Sequence, residues 1–230
     1  GMPPVVRTRH VSTPVNTSRT TRWLYGTATA EIVVTGEALK SQLVRDNGLD
    51  PARITSVRTG IDLARFRPLD RAAARVAHHV DARPAVAILA TLRDWKGHDE
   101  LLDAWAQLRV QAPGWQLLIV GDGPRRAHLE ARVVAMGSSD DIRFAGNQDD
   151  VPGWFACADI AVLPSWGDEG VPQSLMQAAA CGLPVVSTTV GAIGEAVRDA
   201  QTGFLVPPHD VSALVQAMAR LMNDADLRHR

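Results

Sequence analysis

The 230-residue sequence predicts an α/β fold built on a doubly wound parallel sheet. Three observations carry this. Short Val/Ile/Leu runs recur along the chain, amphipathic stretches of helical period separate them, and Gly, Pro and Asp punctuate the joins. Most of the runs are apolar throughout rather than alternating, as in strands that helices cover on both faces.

In order, the candidate strands are EIVVT (31–35), ITSVR (54–58), AVAILAT (85–91), WQLLIVG (115–121), IRFAG (142–146), IAVLPS (160–165) and PVVSTT (184–189). Helical patterns fall at about 97–111, 124–136, 150–157, 172–181, 193–199 and 210–222. In the first of them Leu101, Leu102, Trp105 and Leu108 share one face. Strand, helix, strand repeated in this way implies right-handed crossovers and a Rossmann-like sheet. Residues 60–230 hold the complete pattern. Residues 2–59 hold a helix candidate near 15–27, one strand-helix unit and the strand that leads onward, so a domain boundary is expected near TGIDLARFRP (59–68), where Gly60 and Pro68 interrupt the pattern.

Composition narrows the function. With 46% hydrophobic and 21% charged residues the chain is globular, and Lys+Arg 24 against Asp+Glu 25 gives a net charge of -1, so no nucleic-acid partner is expected. Residues 1–69 hold ten Lys/Arg and five Asp/Glu, for which a solvated basic face is a simpler explanation than an anionic partner. Cys157 and Cys181 form neither a CxxC pair nor a metal spacing, and the seven histidines include no HExxH, so buried thiols and no metal site are expected. Runs such as AVAILA (85–90) are far below the roughly 18–20 residues of a membrane span. The start GMPPVV lacks a signal-peptide pattern, Gly1 is expected to be an expression remnant, and a cytoplasmic location is expected.

In a doubly wound sheet, ligands bind beyond the carboxyl ends of the strands. That directs attention to TLRDWKGH (91–98), GDGP (121–124), GNQDDV (146–151), PSWGDEGVPQS (164–174) and TTVGAIGE (188–195). In PSWGDEGVPQS, Gly167 and Gly170 permit a tight turn and Pro172 suits a first helical turn. The next free amides, Gln173 and Ser174, make a ready phosphate site. Glu169 could accept sugar hydroxyls, or with Asp168 simply place negative charge at a helix start. Arg93 and Lys96 can clamp a diphosphate, the Arg forking onto two oxygens and the Lys acting as a point charge; taken without the neighbouring loop, a solvated cationic turn is the better reading of them. GDGP fails GxGxxG because Arg126 stands at the third glycine position, leaving a tight turn before a helix that Pro124 opens. His98 is expected to be structural, and Trp95, Trp105, Trp115 and Trp154 to pack in the core or at its edge.

Seven segments in order resemble the C-terminal half of the retaining GT-B glycosyltransferases of glycosyltransferase family four, also called group 1. They are VTGEALKSQLV (34–44), TGIDLARFRP (59–68), TLRDWKGHDELLDA (91–104), LLIVGDGP (117–124), IRFAGNQDDVPGWFACADIAVLPS (142–165), EGVPQSLMQAAACGLPVVSTTVG (169–191) and TGFLVPPHD (202–210). The resemblance implies a nucleotide-sugar donor bound between two Rossmann-like domains, mostly by the second, with no cofactor and no metal. In the family an Arg and a Lys hold the diphosphate, and two Glu with seven residues between them hold the sugar and the ribose.

Lys96 and Glu169 match that pattern. Thr91 stands where the Arg is usual, so Arg93 is expected to replace it, and Gln177 stands for the second Glu. Glu169, Lys96 and Arg93 are the candidate catalytic residues; Thr91, Asn147, Gly170, Val171, Pro172, Gln173, Ser174 and Gln177 are candidate donor contacts. Residues 2–59 are expected to be the end of an acceptor domain that would receive a saccharide or lipid-linked acceptor, with peripheral contact at the inner membrane face. The resemblance further implies envelope polysaccharide or glycolipid synthesis, with this chain alone inactive. The alternatives are a nucleotide-sugar binding module without turnover and a GT-B sugar-nucleotide epimerase.

Overall fold

The computed structural model describes residues 3–10, 13–167 and 169–229. Among the described residues, nine strands fall into two separate sheets, both parallel. The first sheet has the order β1-β2-β3, from Val6–Arg9, Glu31–Val34 and Ile54–Ser56. Helices α1 (Arg19–Gly26) and α2 (Glu37–Asn47) connect its strands. Ile32, Val34, Leu39, Leu43 and Ile54 form a core of its own. The expected strand at 54–58 therefore closes this sheet, and residues 57–70 run on without helix or strand.

The second sheet has six strands in the order β6-β5-β4-β7-β8-β9. They are β4 (Ala85–Leu89), β5 (Gln116–Val120), β6 (Ile142–Gly146), β7 (Ile160–Leu163), β8 (Val185–Thr188) and β9 (Gly203–Val206). The helices are α3 (Arg71–Ala77), α4 (His98–Gln111), α5 (Arg126–Ala135), α6 (Val151–Cys157), α7 (Gln173–Ala180), α8 (Val211–Asn223) and α9 (Ala225–Arg228). The central strands β4, β5, β7 and β8 are almost wholly buried, which is why they read as unbroken apolar runs. Helix α4 buries Leu101, Leu102, Trp105 and Leu108, and packs against α8. Asp99 and Glu100 in its first turn and Arg109 in its last complement its dipole.

Three expectations change. The pattern at 193–199 is a single 3-10 turn, Ile193–Glu195, because Gly194 sits inside it and the chain then bends into a bridge between Asp199 and Gly203. Pro172 is the N-cap of α7 rather than part of its first turn, and α5 begins at Arg126, two residues past Pro124. Trp105, Trp115 and Trp154 are buried, whereas Trp95 is 37% exposed. Both cysteines are buried and free. Among the described residues no helix is long and apolar enough to cross a membrane.

Candidate functional site

The chain leaves β4 through β5 to β6 at one edge, then returns to β7 on the other side of β4. The strand order reverses between β4 and β7, the switch point at which doubly wound sheets bind their ligands, and the loops after these two strands meet there. Two glycines let neighbouring loops approach. Gly97 has φ 75°, and a Cβ there would lie 2.0 Å from the Pro164 carbonyl oxygen. Gly191, after β8, has φ 55°, and its Cβ would lie 1.9 Å from the Glu169 carbonyl oxygen. No other residue fits either place without moving the loops.

This packing brings Lys96 and Glu169 together although 73 residues separate them. Lys96 Nζ donates to Glu169 Oε1 at 2.6 Å, and Ser165 Oγ donates to the same oxygen at 2.7 Å. Glu169 is buried and the Lys96 side chain is 19% exposed, so the pair is largely desolvated. Thr188 Oγ1 donates to the Ser165 carbonyl, Ser187 Oγ to the Leu163 carbonyl at 2.6 Å, and the Ala192 amide to the Glu169 carbonyl at 3.2 Å. The Glu169 loop is thus tied at its start to β8 and at Glu169 to the turn that follows β8.

Helix α7 begins four residues after Glu169. Pro172 caps it without a side-chain hydrogen bond, and among the described residues no acceptor meets the amides of Gln173 and Ser174. Asp168 lies outside the described residues. An N-terminus with unmet amides, four residues past the Glu169 that pairs with Lys96, suits an anion. Gly170 is half-buried, Val171 and Pro172 are buried, and Gln173 is exposed. Gln177 lies one turn into α7, half-buried, with no side-chain hydrogen bond among the described residues.

The expected two-cation clamp is not assembled. Arg93 is exposed, and its guanidinium lies 5.2 Å from the Trp95 ring centroid, so the two cations are committed to different partners. Thr91 is exposed and its carbonyl accepts from the Arg93 amide at 2.8 Å. Asn147 is exposed just past β6, two strands away from β4. His98 is buried with neither ring nitrogen hydrogen bonded among the described residues, and burial pushes its pKa down to about 4. It is a neutral ring under the site loop.

The sequence reading missed the contribution of the first sheet. A Cβ on Gly170 would lie 3.0 Å from the His10 carbonyl oxygen and 3.4 Å from Thr35 Oγ1, so the ends of β1 and β2 face the Glu169 loop. A cleft of about 290 Å³ lies there, lined by Thr35, Gly36, Gln42, Glu169, Gly170 and Ala192 among others. A short strand carrying two arginines, Arg7 and Arg9, gives no apolar run, so only the position of RTRH before the next unit could have signalled it.

The family model described as glycosyl transferases group 1 matches residues 83–224, which takes in β4 to β9, α4 to α8 and both site loops. The chain belongs to this family. It is 36% identical over 204 residues to D-inositol 3-phosphate glycosyltransferase 2 of Catenulispora acidiphila, a match covering 83% of this chain and 46% of the relative. The chain thus spans about half the length of the curated relatives it matches. Among solved structures it resembles Anabaena HepE in complex with UDP-glucose, at TM-score 0.88 and 22% identity, covering 98% of this chain and 64% of HepE. It also resembles the C-terminal domain of a group 1 family glycosyl transferase from Francisella tularensis, at TM-score 0.68 and 27% identity, covering 74% of this chain and 91% of that domain. The fold is the Rossmann-like architecture of GT-B glycosyltransferases.

Proposed function

We propose that the chain binds a nucleoside diphosphate sugar, and that in a complete two-domain protein these residues serve retaining, metal-independent sugar transfer in envelope polysaccharide or glycolipid synthesis. The observation that carries the proposal is the Lys96–Glu169 pair at the switch point, with Glu169 four residues ahead of α7, whose N-cap Pro172 makes no side-chain hydrogen bond. Departure of a nucleoside diphosphate builds negative charge on its phosphate oxygens. Lys96 and the amides of Gln173 and Ser174 are fixed donors for that charge, and such donors can replace a metal ion. Arg93 joins them by leaving the Trp95 ring.

Glu169 keeps Oε2 without a hydrogen bond among the described residues, an acceptor for a sugar hydroxyl. Gln177 offers an amide to a ribose diol, while Thr91 and Asn147 flank the donor from the ends of β4 and β6. HepE was solved with UDP-glucose, and the curated relatives are named for inositol 3-phosphate, so a UDP-sugar and a phosphorylated polyol are the first donor and acceptor to test.

A second reading, favoured by the chain's spanning about half of its relatives' length, is that these 230 residues bind the donor without transferring it. Holding an acceptor in line contributes about 7–11 kcal/mol of barrier lowering in well-oriented systems, and among the described residues the sheet facing the Glu169 loop has three strands. A thermal-shift screen of UDP, GDP, ADP and dTDP and their sugars tests the common core of both readings. Ligand at 100 times its Kd should add about 2.7 kcal/mol of stability. Absence of any shift at millimolar ligand would remove the donor site. Product formed by this chain from a binding donor and an acceptor would remove the second reading alone.

A further inference from the structure

We infer that Glu195 is a latch that holds the first sheet's unit closed over the loops of the second. This concerns the joint between the units and does not depend on which ligand the Lys96 site takes. Glu195 ends the 3-10 turn after β8, in the second unit, yet its Oε1 accepts from the amide of Ala38 at 2.9 Å, in the first turn of α2. Among the described residues this is the one hydrogen bond that joins residues before 57 to residues after 84. Helix α2 has Gly36 as its N-cap and no side-chain cap of its own, so a carboxylate from the other unit supplies what the local sequence omits. The helix dipole favours that charge.

The surrounding geometry is cut to fit. A Cβ on Gly36 would lie 2.9 Å from Glu195 Oε1 and 3.2 Å from the Ala192 Cβ. The φ of Gly36 is -172°, extended backbone open to any residue, so glycine serves the close approach and not the conformation. Glu195 Oε2 is buried without a hydrogen bond among the described residues, and Arg58, in the segment connecting the units, stands 3.7 Å away as its counter-charge. The latch also touches the site. Ala192, three residues before Glu195, donates its amide to the carbonyl of Glu169, the residue whose carboxylate takes Lys96. Moving the latch therefore moves the Glu169 loop.

The test is a distance measurement between spin labels on cysteines placed at exposed Arg19 in α1 and Gln216 in α8. The native Cys157 and Cys181 are buried, with thiols that burial pushes up to about 11, so they label slowly. Glu195→Ala should lengthen and broaden the distance distribution. It should also speed hydrogen exchange at the Ala38 amide about tenfold or more, the effect of losing one charge-assisted hydrogen bond. Glu195→Gln, which keeps an acceptor oxygen but no charge, should fall between. Gly36→Ala should reproduce the opening from the other side, and the double variant should open no further than either alone. Should Glu195→Ala fail to fold, Gly36→Ala carries the distance test by itself. A Glu195→Ala distribution that overlays the wild type, or opening in the double variant equal to the two effects combined, would overturn the latch.

Discussion

Replacing Lys96 with alanine removes the cation from a carboxylate that is largely buried. Glu169 is 7% exposed, and Lys96 Nζ is one of two donors to its Oε1. Breaking a buried pair from one side typically costs about 3–5 kcal/mol, because the remaining charge stays buried. Two features reduce this: the Lys96 side chain is 19% exposed, and Ser165 still donates to the orphaned oxygen. We expect a loss of about 2–3 kcal/mol, which at about 2–4 °C per kcal/mol for a protein of this size lowers Tm by about 4–12 °C. The assay is urea unfolding of four proteins: wild type, Lys96→Ala, Glu169→Gln and the double variant. Because Glu169→Gln leaves no charge to strand, the double variant should recover most of the loss, giving a coupling energy of about 1–3 kcal/mol. A Lys96→Ala protein within about 0.5 kcal/mol of wild type would refute the pair, as would strict additivity in the double variant.

Three further outcomes follow from the same geometry. His98 has a folded-state pKa near 4 against about 6.5 unfolded, so the unfolded chain binds the extra proton in that window; its contribution is present above pH 6.5 and lost toward pH 4. Urea unfolding from pH 7.5 to 4 should show about 3 kcal/mol of acid loss that His98→Phe removes, and an equal slope in the variant would contradict this. Gly97→Ala forces a side chain at φ 75° into the Pro164 carbonyl, so it should cost about 2 kcal/mol or more and weaken nucleotide binding by parting the two loops; wild-type behaviour in both assays would count against a donor site built on this loop contact. Nucleotide binding should change the fluorescence of Trp95 as Arg93 leaves its ring, a signal absent in Trp95→Phe and in Arg93→Ala; with Thr91→Ala close to wild type, it would support Arg93 as the second cation.

Much of this fold is legible residue by residue. Strands such as AVAIL and QLLIV are apolar because both faces are covered, and helix α4 shows its buried face at helical spacing. What escaped has physical causes. Strand β1, VRTR, carries an arginine at every second position and is half solvated, and β9 opens on a glycine whose Cβ would lie 2.1 Å from the Val185 carbonyl oxygen. Helix α3, RAAARVA, buries Ala74 alone and shows no apolar stripe. The site loops could be located because a parallel sheet puts every strand's carboxyl end on one side. Their pairing could not: the meeting of Lys96 with Glu169 depends on how closely Gly97 approaches Pro164, and Arg93 lies on the face of Trp95 instead of beside Lys96. The Glu195 contact with Ala38, 157 residues away, left no local pattern at all.

Calorimetric titration of the 230-residue chain with UDP and UDP-glucose, beside Lys96→Ala, tests the central claim most directly. Saturable binding by the wild type is expected, weakened by about 1.5–3 kcal/mol, or roughly 10- to 150-fold, once the charged donor at position 96 is gone. A folded Lys96→Ala protein that binds the nucleotide as tightly as wild type would contradict the proposal that this pair forms the donor site.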